Sequence, residues 1–359
     1  MKSMNLGKII HEKALECGYD NCGVISLEAF GEYKERSKER IAKFPEAVAV
    51  LETPLTSLKL KENYPWAKSA IICTEYYGKY KFPASLQGMY AKSFLLSSDV
   101  PEYPNHKGKE DFEKWMISKG IQYEGGETNM PGKIFPLRQA AVAAGLGIFR
   151  KNNFFYGPKG SWYGLEGYLI DQPCEYIQEI NLKPCSKTCN LCQKACPTHS
   201  LSEPFTMNPT LCLSFLTTTT FGGRSIPDNL SAEQYGTWIM GCDACQDACP
   251  YNKRHSWNEG EDFPGLKEIE ALLQPKNIIS ASDEELIQKV IPRAEHHLTS
   301  VQTDVLRINA ILILIFPAIS LDSKTFLCTS KYRSVFFNPS SFPISGTVIQ
   351  VLFCVGRRL

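Results

Sequence analysis

Two runs of cysteine dominate the chemistry available to this 359-residue chain. In "CSKTCNLCQKACPTHSL", Cys185, Cys189, Cys192 and Cys196 precede Pro197; in "GCDACQDACPYNKR", Cys242, Cys245 and Cys249 precede Pro250; Cys212 stands alone between the runs. Thiols two and three residues apart on a tight loop reach several corners of an iron–sulfur cubane while the loop aims backbone N–H groups at the sulfides. Eight thiols are the number that two 4Fe–4S clusters need. Structural zinc is the competing reading, but zinc favours two separated pairs closing one tetrahedral site. Disulfide scaffolds belong to short exported chains. Fourteen cysteines in a chain of this length with no export signal read as reduced thiols, the eight in these runs bound to metal.

Where two cubanes share one domain, the cysteine before proline turns toward the other cluster, and this interlocks the two halves. Applied here, one cluster takes Cys185, Cys189, Cys192 and Cys249, and the other takes Cys196, Cys212, Cys242 and Cys245. The first spacing is one residue longer than the common one, because Ser186 follows Cys185. A small bulge accommodates it, with Cys174 as the less favoured substitute. For Cys17, Cys22, Cys73, Cys328 and Cys354 a buried or incidental thiol is expected. Two adjacent cubanes move single electrons, which fits a carrier, a redox subunit or an enzyme feeding a second cofactor. The ~180 residues ahead of the clusters have room for a domain of ~100–150 residues, which argues against a minimal carrier.

The elements that must position these thiols are read from periodicity. Lys and Arg number 39 against 38 Asp and Glu, so no global charge excess points to nucleic acid or an anionic membrane; hydrophobic residues make up 43%, ample for buried cores. "LGKIIHEKALECG" has helical spacing and stops at Gly18. It carries charges where a secretory signal would need an apolar run. "NCGVISL", "AVAVLETPL" and "SAIICTEYY" are expected as strands, and "DFEKWMISKG" as a helix ended by Gly120. Pro136 opens a helix through the alanines that Gly145 and Gly147 end, and "GSWYGLEGYLID" is a turn entering a strand. "LKEIEALL", "DEELIQKVI" and "TDVLRINAILIL" are helical in period. The apolar stretch Val305–Leu321 is interrupted by Arg307, Asn309 and Pro317, short of the ~20 residues a bilayer span needs, so a buried helix is expected. The segments are therefore 1–172, 173–255 with the clusters, a helical 256–315, and 316–359, where the pattern collapses and no structure is assigned.

"AAVAAGLGIFRKNNFFYGPKGSWYGLEGYLID", the first cysteine run, "LCLSFLT" and "GCDACQDACPYNKR" stand in the order found in the epoxyqueuosine reductase family, which this chain resembles over residues 1–255 and most specifically over 135–255. The resemblance implies an α+β fold: a nitroreductase-like, cobalamin-binding α/β domain, then a ferredoxin-like double 4Fe–4S domain and a short helical module. It implies a cytoplasmic oxidoreductase that reduces epoxyqueuosine to queuosine in tRNA, or a paralogue acting on another substrate, with two 4Fe–4S clusters and base-off cobalamin. A low-potential donor of ferredoxin or flavodoxin type would supply electrons; tRNA is the macromolecular partner, and no membrane is implied. Gly145, Gly147, Lys151, Asn152, Gly160, Ser161 and Trp162 would line the corrin. An ordinary turn-and-strand unit is the bland alternative for these seven. In the family a general-acid aspartate stands a few residues before the Pro-x-Arg helix start. Here Pro131 or Gly132 occupies that place, so the catalytic acid is unassigned; Tyr123, Glu127 and Lys133 are its possible stand-ins. The reading from a different class is an electron-transfer or corrinoid-activating protein without substrate chemistry of its own.

Overall fold

The computed structural model describes residues 5–96, 100, 103, 105–125, 134–218, 231–253, 255–294 and 303–320. The first segment runs α1 (Leu6–Glu16), β1 (Asn21–Ser26), α2 (Gly31–Lys43), α3 (Val48–Ser57), α4 (Leu60–Asn63), β2 (Ser69–Tyr76), α5 (Lys92–Leu95), α6 (His106–Ser118), β3 (Tyr123–Gly125), α7 (Leu137–Ala143), β4 (Ile148–Phe149), β5 (Phe155–Tyr156) and β6 (Tyr163–Ile170). The cysteine segment holds only short helices: α8 (Leu191–Ala195), α9 (Leu213–Leu216), α10 (Ala232–Tyr235) and α11 (Ala244–Asp247). Four more follow: α12 (Leu266–Ile269), α13 (Pro275–Ser280), α14 (Asp283–Lys289) and α15 (Thr303–Ser320).

The main sheet has the order β1–β2–β6–β3, and every pairing in it is antiparallel. Strand β2 is buried along its whole length, and successive side chains leave it on opposite faces. Ala70 and Ile72 meet Leu169 and the alanines of α7, whereas Ile71 and Cys73 meet Ile10 and Ala14 of α1 and Phe112 and Met116 of α6. Helices thus cover both faces of an antiparallel sheet, an α+β layering. Beside it, β4 and β5 form a small hairpin of their own.

The largest core crosses the segment boundaries read from the sequence. Tyr76–Tyr103 of the first segment, Leu213, Leu216 and Tyr235–Met240 of the cysteine segment, and Leu266–Ile313 of the helical one contribute to a single apolar cluster. The helices α12–α15 are therefore packed onto the rest of the molecule along much of their length.

Two local readings are corrected. "AVAVLETPL" is helix α3, not a strand: Ala47 and Leu51, four residues apart, pack on Ile41 and Phe44 of the α2 region, so a helical partner decides a run whose local pattern was ambiguous. The helical pattern does not end at Phe316 either, since α15 continues to Ser320; residues 321–359 lie outside the described residues. No described helix is long and apolar enough to cross a membrane.

Candidate metal centre

The second cysteine run starts at a strand-like bridge, where Met240 pairs with Tyr90, and enters the single turn α11. The first run turns through α8 into Cys196 and Pro197. Cys185, Cys189 and Cys192 of the first run and Cys249 of the second line one partly open pocket, with Arg150, Lys151, Asn152, Leu191 and Pro250 completing its wall. The other four thiols also gather: Cys245 lies within electrostatic reach of Cys242, Cys212 and Cys196. The cysteine before each proline therefore sits with the thiols of the opposite run. All twelve described cysteines are free thiols. Among the described residues no three Cys, His, Asp or Glu side chains close on a single ion-sized point. A cubane takes one thiolate per iron corner rather than several on one ion. Burial pushes the Cys192, Cys212, Cys242 and Cys245 thiols up, so metal binding at these positions must release protons.

The β4–β5 turn reaches into the cluster loops with three consecutive side chains. Arg150 donates from Nη1 to Cys185 Sγ at 3.8 Å. Lys151 donates from Nζ to the carbonyls of Ser186, Lys187 and Cys189 at 2.8, 2.9 and 2.7 Å. Asn152 donates to Tyr156 Oη and to the carbonyl of Cys245. The long first spacing finds its place here: Cys189 N–H closes a turn on Ser186 O, and the added carbonyls wrap the Lys151 ammonium. Cys174 is elsewhere, with its N–H and C=O both bonded to Ser69 Oγ.

A second buried chain of bonds joins the first segment to the cysteine segment. Asn252 accepts from Ser161 N–H at 2.9 Å and donates to Ser161 Oγ and to the Gln246 carbonyl. Ser161 Oγ donates to Gln246 Oε1, and Gln246 Nε2 donates to Asp243 Oδ1. Asp243 in turn accepts from both the backbone N–H and the ammonium of Lys92, which also reaches Asp247 at 2.9 Å. Lys92 is 3% exposed and lies 5.1 Å from the ring centroids of both Trp162 and Trp257. Burial raises the Asp243 carboxyl, and Lys92 opposes the shift.

These contacts place the seven residues the resemblance assigns to a corrin. A Cβ at Gly145 would stand 1.8 Å from Gln178 O, at Gly147 2.3 Å from Tyr156 O, and at Gly160 2.4 Å from Asn252 Oδ1. Lys151, Asn152 and Ser161 spend their polar atoms on the cluster loops as above. The close approaches are real, but protein fills them, so six of the seven do not fit a corrin cradle. Trp162 is the exception: its Nε1 is buried without a hydrogen-bond partner, as are Tyr80 Oη and His255 Nε2 in the same aromatic wall. Of the stand-ins for the acid, Tyr123 on β3 donates to Glu113 at 3.2 Å. Glu127 and Lys133, with Pro131 and Gly132, lie outside the described residues. Asp243, Gln246 and Asn252 were visible between and after the cysteines of the second run; nothing in the sequence marks Lys92.

A fold of this layering with two interlocked sets of four thiols defines a double-cluster iron–sulfur protein, and residues 185–252 match the family model of the 4Fe-4S double cluster binding domain. An epoxyqueuosine reductase of Cyclobacterium marinum is 28% identical over 269 residues, which cover 71% of this chain and 82% of that one. That of a Synechococcus species is 36% identical over 119 residues, 32% of this chain and 35% of that one. A crystal structure of an epoxyqueuosine reductase with an epoxyqueuosine-modified tRNA stem loop superposes with a TM-score of 0.63 at 24% identity, covering 86% of this chain and 80% of that one. The chain is thus similar to epoxyqueuosine reductases along much of its length, and residues 185–252 carry the match to the double-cluster domain.

Proposed function

We propose that this chain is an oxidoreductase that reduces epoxyqueuosine to queuosine in tRNA, taking its electrons through two 4Fe–4S clusters. The observation that carries the proposal is the pocket lined by Cys185, Cys189, Cys192 and Cys249, because it draws thiols from both runs and rests on the β4–β5 turn of the preceding segment. Removal of an epoxide oxygen breaks two C–O bonds, forms a C=C bond and releases water, so it consumes two electrons and two protons. A cubane passes one electron at a time, and two in series deliver both from a one-electron donor of ferredoxin or flavodoxin type. The relatives with this name, and the one crystallised with a modified tRNA stem loop, support the substrate.

The finer part of the proposal is a nitroreductase-like first domain that holds cobalamin. That cofactor would supply a low-potential cobalt centre as the immediate reductant. Among the described residues, Trp162 Nε1, Tyr80 Oη and His255 Nε2 are buried polar atoms without a hydrogen-bond partner, and these would meet its amide periphery. Because six of the seven resemblance residues are engaged with protein, an electron-transfer protein without substrate chemistry is the second reading.

One preparation separates them. The full chain, reconstituted anaerobically, should take up about eight irons. Cobalamin is then added and its visible spectrum followed, and tRNA stem loop carrying epoxyqueuosine is incubated with a strong reductant. A product nucleoside lighter by one oxygen supports the reductase. An unchanged nucleoside with full iron content leaves the electron-transfer reading standing in its place.

A further inference from the structure

Arg150 is 2% exposed, and among the described residues no carboxylate stands within ion-pair distance of it. A buried guanidinium without a counter-charge is costly, so something at this position must balance it. Its plane is held firmly, lying 3.2 Å from the ring centroid of Tyr251, the residue after Pro250, and 5.1 Å from that of Tyr156. Its Nη1 points to Cys185 Sγ. The backbone fixes the side chain further: Arg150 N–H bonds to Phe154 O, and Asn153, at φ 65°, returns its N–H to Arg150 O.

We propose that Arg150 sets the reduction potential of the cluster held by Cys185, Cys189, Cys192 and Cys249, raising it by fixing a positive charge and a donor on the Cys185 sulfur. This rests on the double-cluster reading above. A 4Fe–4S cube with four thiolates is a dianion when oxidised and a trianion when reduced. A fixed cation therefore stabilises the reduced form more, and hydrogen bonds to the sulfurs act in the same direction. Lys151 adds a second positive charge beside the same thiols, but its three bonds go to carbonyls, so it places no donor on a sulfur. Near the second set, the Asp243 carboxylate is matched by Lys92, and Arg138 within reach of Cys212 donates to the Asn153 carbonyl. Arg150 is thus a positioning residue for one cluster of the pair, and it separates the two potentials.

The test is a potentiometric titration, followed by electron paramagnetic resonance, of the full reconstituted chain as wild type, Arg150→Gln, Arg150→Met and Arg150→Lys. Cys185→Ser marks which signal belongs to the first set. Either neutral variant should keep about eight irons and shift that cluster's midpoint negative by about tenfold in its reduction equilibrium, or about 59 mV for a one-electron couple. The other midpoint should stay in place, and lysine should restore part of the shift, which a purely structural role would not do. Full iron content with unmoved midpoints, or with both midpoints moving together, overturns the inference alone. So does a folded pair of neutral variants that cannot load iron, since Arg150 would then be needed for assembly. A wild type that takes up no more than about four irons overturns the double-cluster reading and the inference with it.

Discussion

Glu75 stands on β2 facing α6, beside a partly open pocket lined also by Tyr19, Cys73, Lys109 and Glu166. Lys109 pairs with Glu166 at 3.3 Å, and Glu166 accepts from Tyr19 and Tyr168, while Glu75 accepts from Asn105 at 2.6 Å. Burial pushes the Glu75 carboxyl from 4.5 to about 7, with Lys109 and Lys79 opposing. Between those values the native chain binds a proton that the unfolded chain has released, so this group makes stability fall as pH rises through the window. The full traverse is worth about 3 kcal/mol at 1.36 kcal/mol per unit. Glu75→Gln keeps an acceptor for Asn105 and should flatten the slope; thermal midpoints of variant and wild type that run parallel from about pH 5 to 7 would refute it. Legibility at this scale follows chain distance. The two cysteine runs stand out in the sequence because their spacing is local, whereas Lys92 meets Asp243 across 151 residues and leaves no local mark. Glycines 145, 147 and 160 signalled close approach, which residue type reveals, but not what approaches, which only the fold decides.

At the scale of elements, the contact between α1 and α6 is set by one glycine. A Cβ on Gly108 would stand 2.0 Å from the carbonyl oxygen of Cys17, just past the end of α1. Alanine at a helical glycine ordinarily stabilises by ~0.5–1 kcal/mol. Here the obstacle is backbone and cannot rotate aside, so overpacking, typically ~1–3 kcal/mol, decides the sign. Gly108→Ala should lower the urea midpoint by a free energy in that range; a variant as stable as wild type would mean that α1 and α6 have room to part. The sequence expectations for α1, β1, β2, α6, α7 and β6 agree with these elements because each carries its own punctuation. Gly18, Gly120 and Gly145 take positive φ at 97°, 68° and 72° where the helices end. Helix α3 is not legible in the sequence because its apolar run is short and its deciding partner, α2, is a separate element.

On the scale of the whole molecule, α15 braces the cluster segment through one side chain. Asn309 donates to the carbonyls of Thr217 and Ile239 at 3.0 and 2.8 Å and accepts from Tyr235 Oη at 2.7 Å. Thr217 lies just beyond Cys212, and Ile239 just before Cys242, so this amide ties together the two stretches that bring those thiols to the second set. Thr217 Oγ1 continues the brace by accepting from Gly241 N–H. Sequence periodicity found the helix but read it as part of a separate module, because nothing in a helical pattern says which carbonyls its one buried amide will meet. Asn309→Ala takes a donor from two buried carbonyls and an acceptor from a buried hydroxyl, at ~1–3 kcal/mol for each group left unsatisfied. The variant should unfold at lower denaturant. On exposure to a chelator it should also release iron from the cluster of Cys196, Cys212, Cys242 and Cys245 sooner than from the cluster beside Arg150. Equal rates of loss from both clusters would mean that α15 stabilises the chain without bracing either site, and the shared core would then be the whole of its contribution.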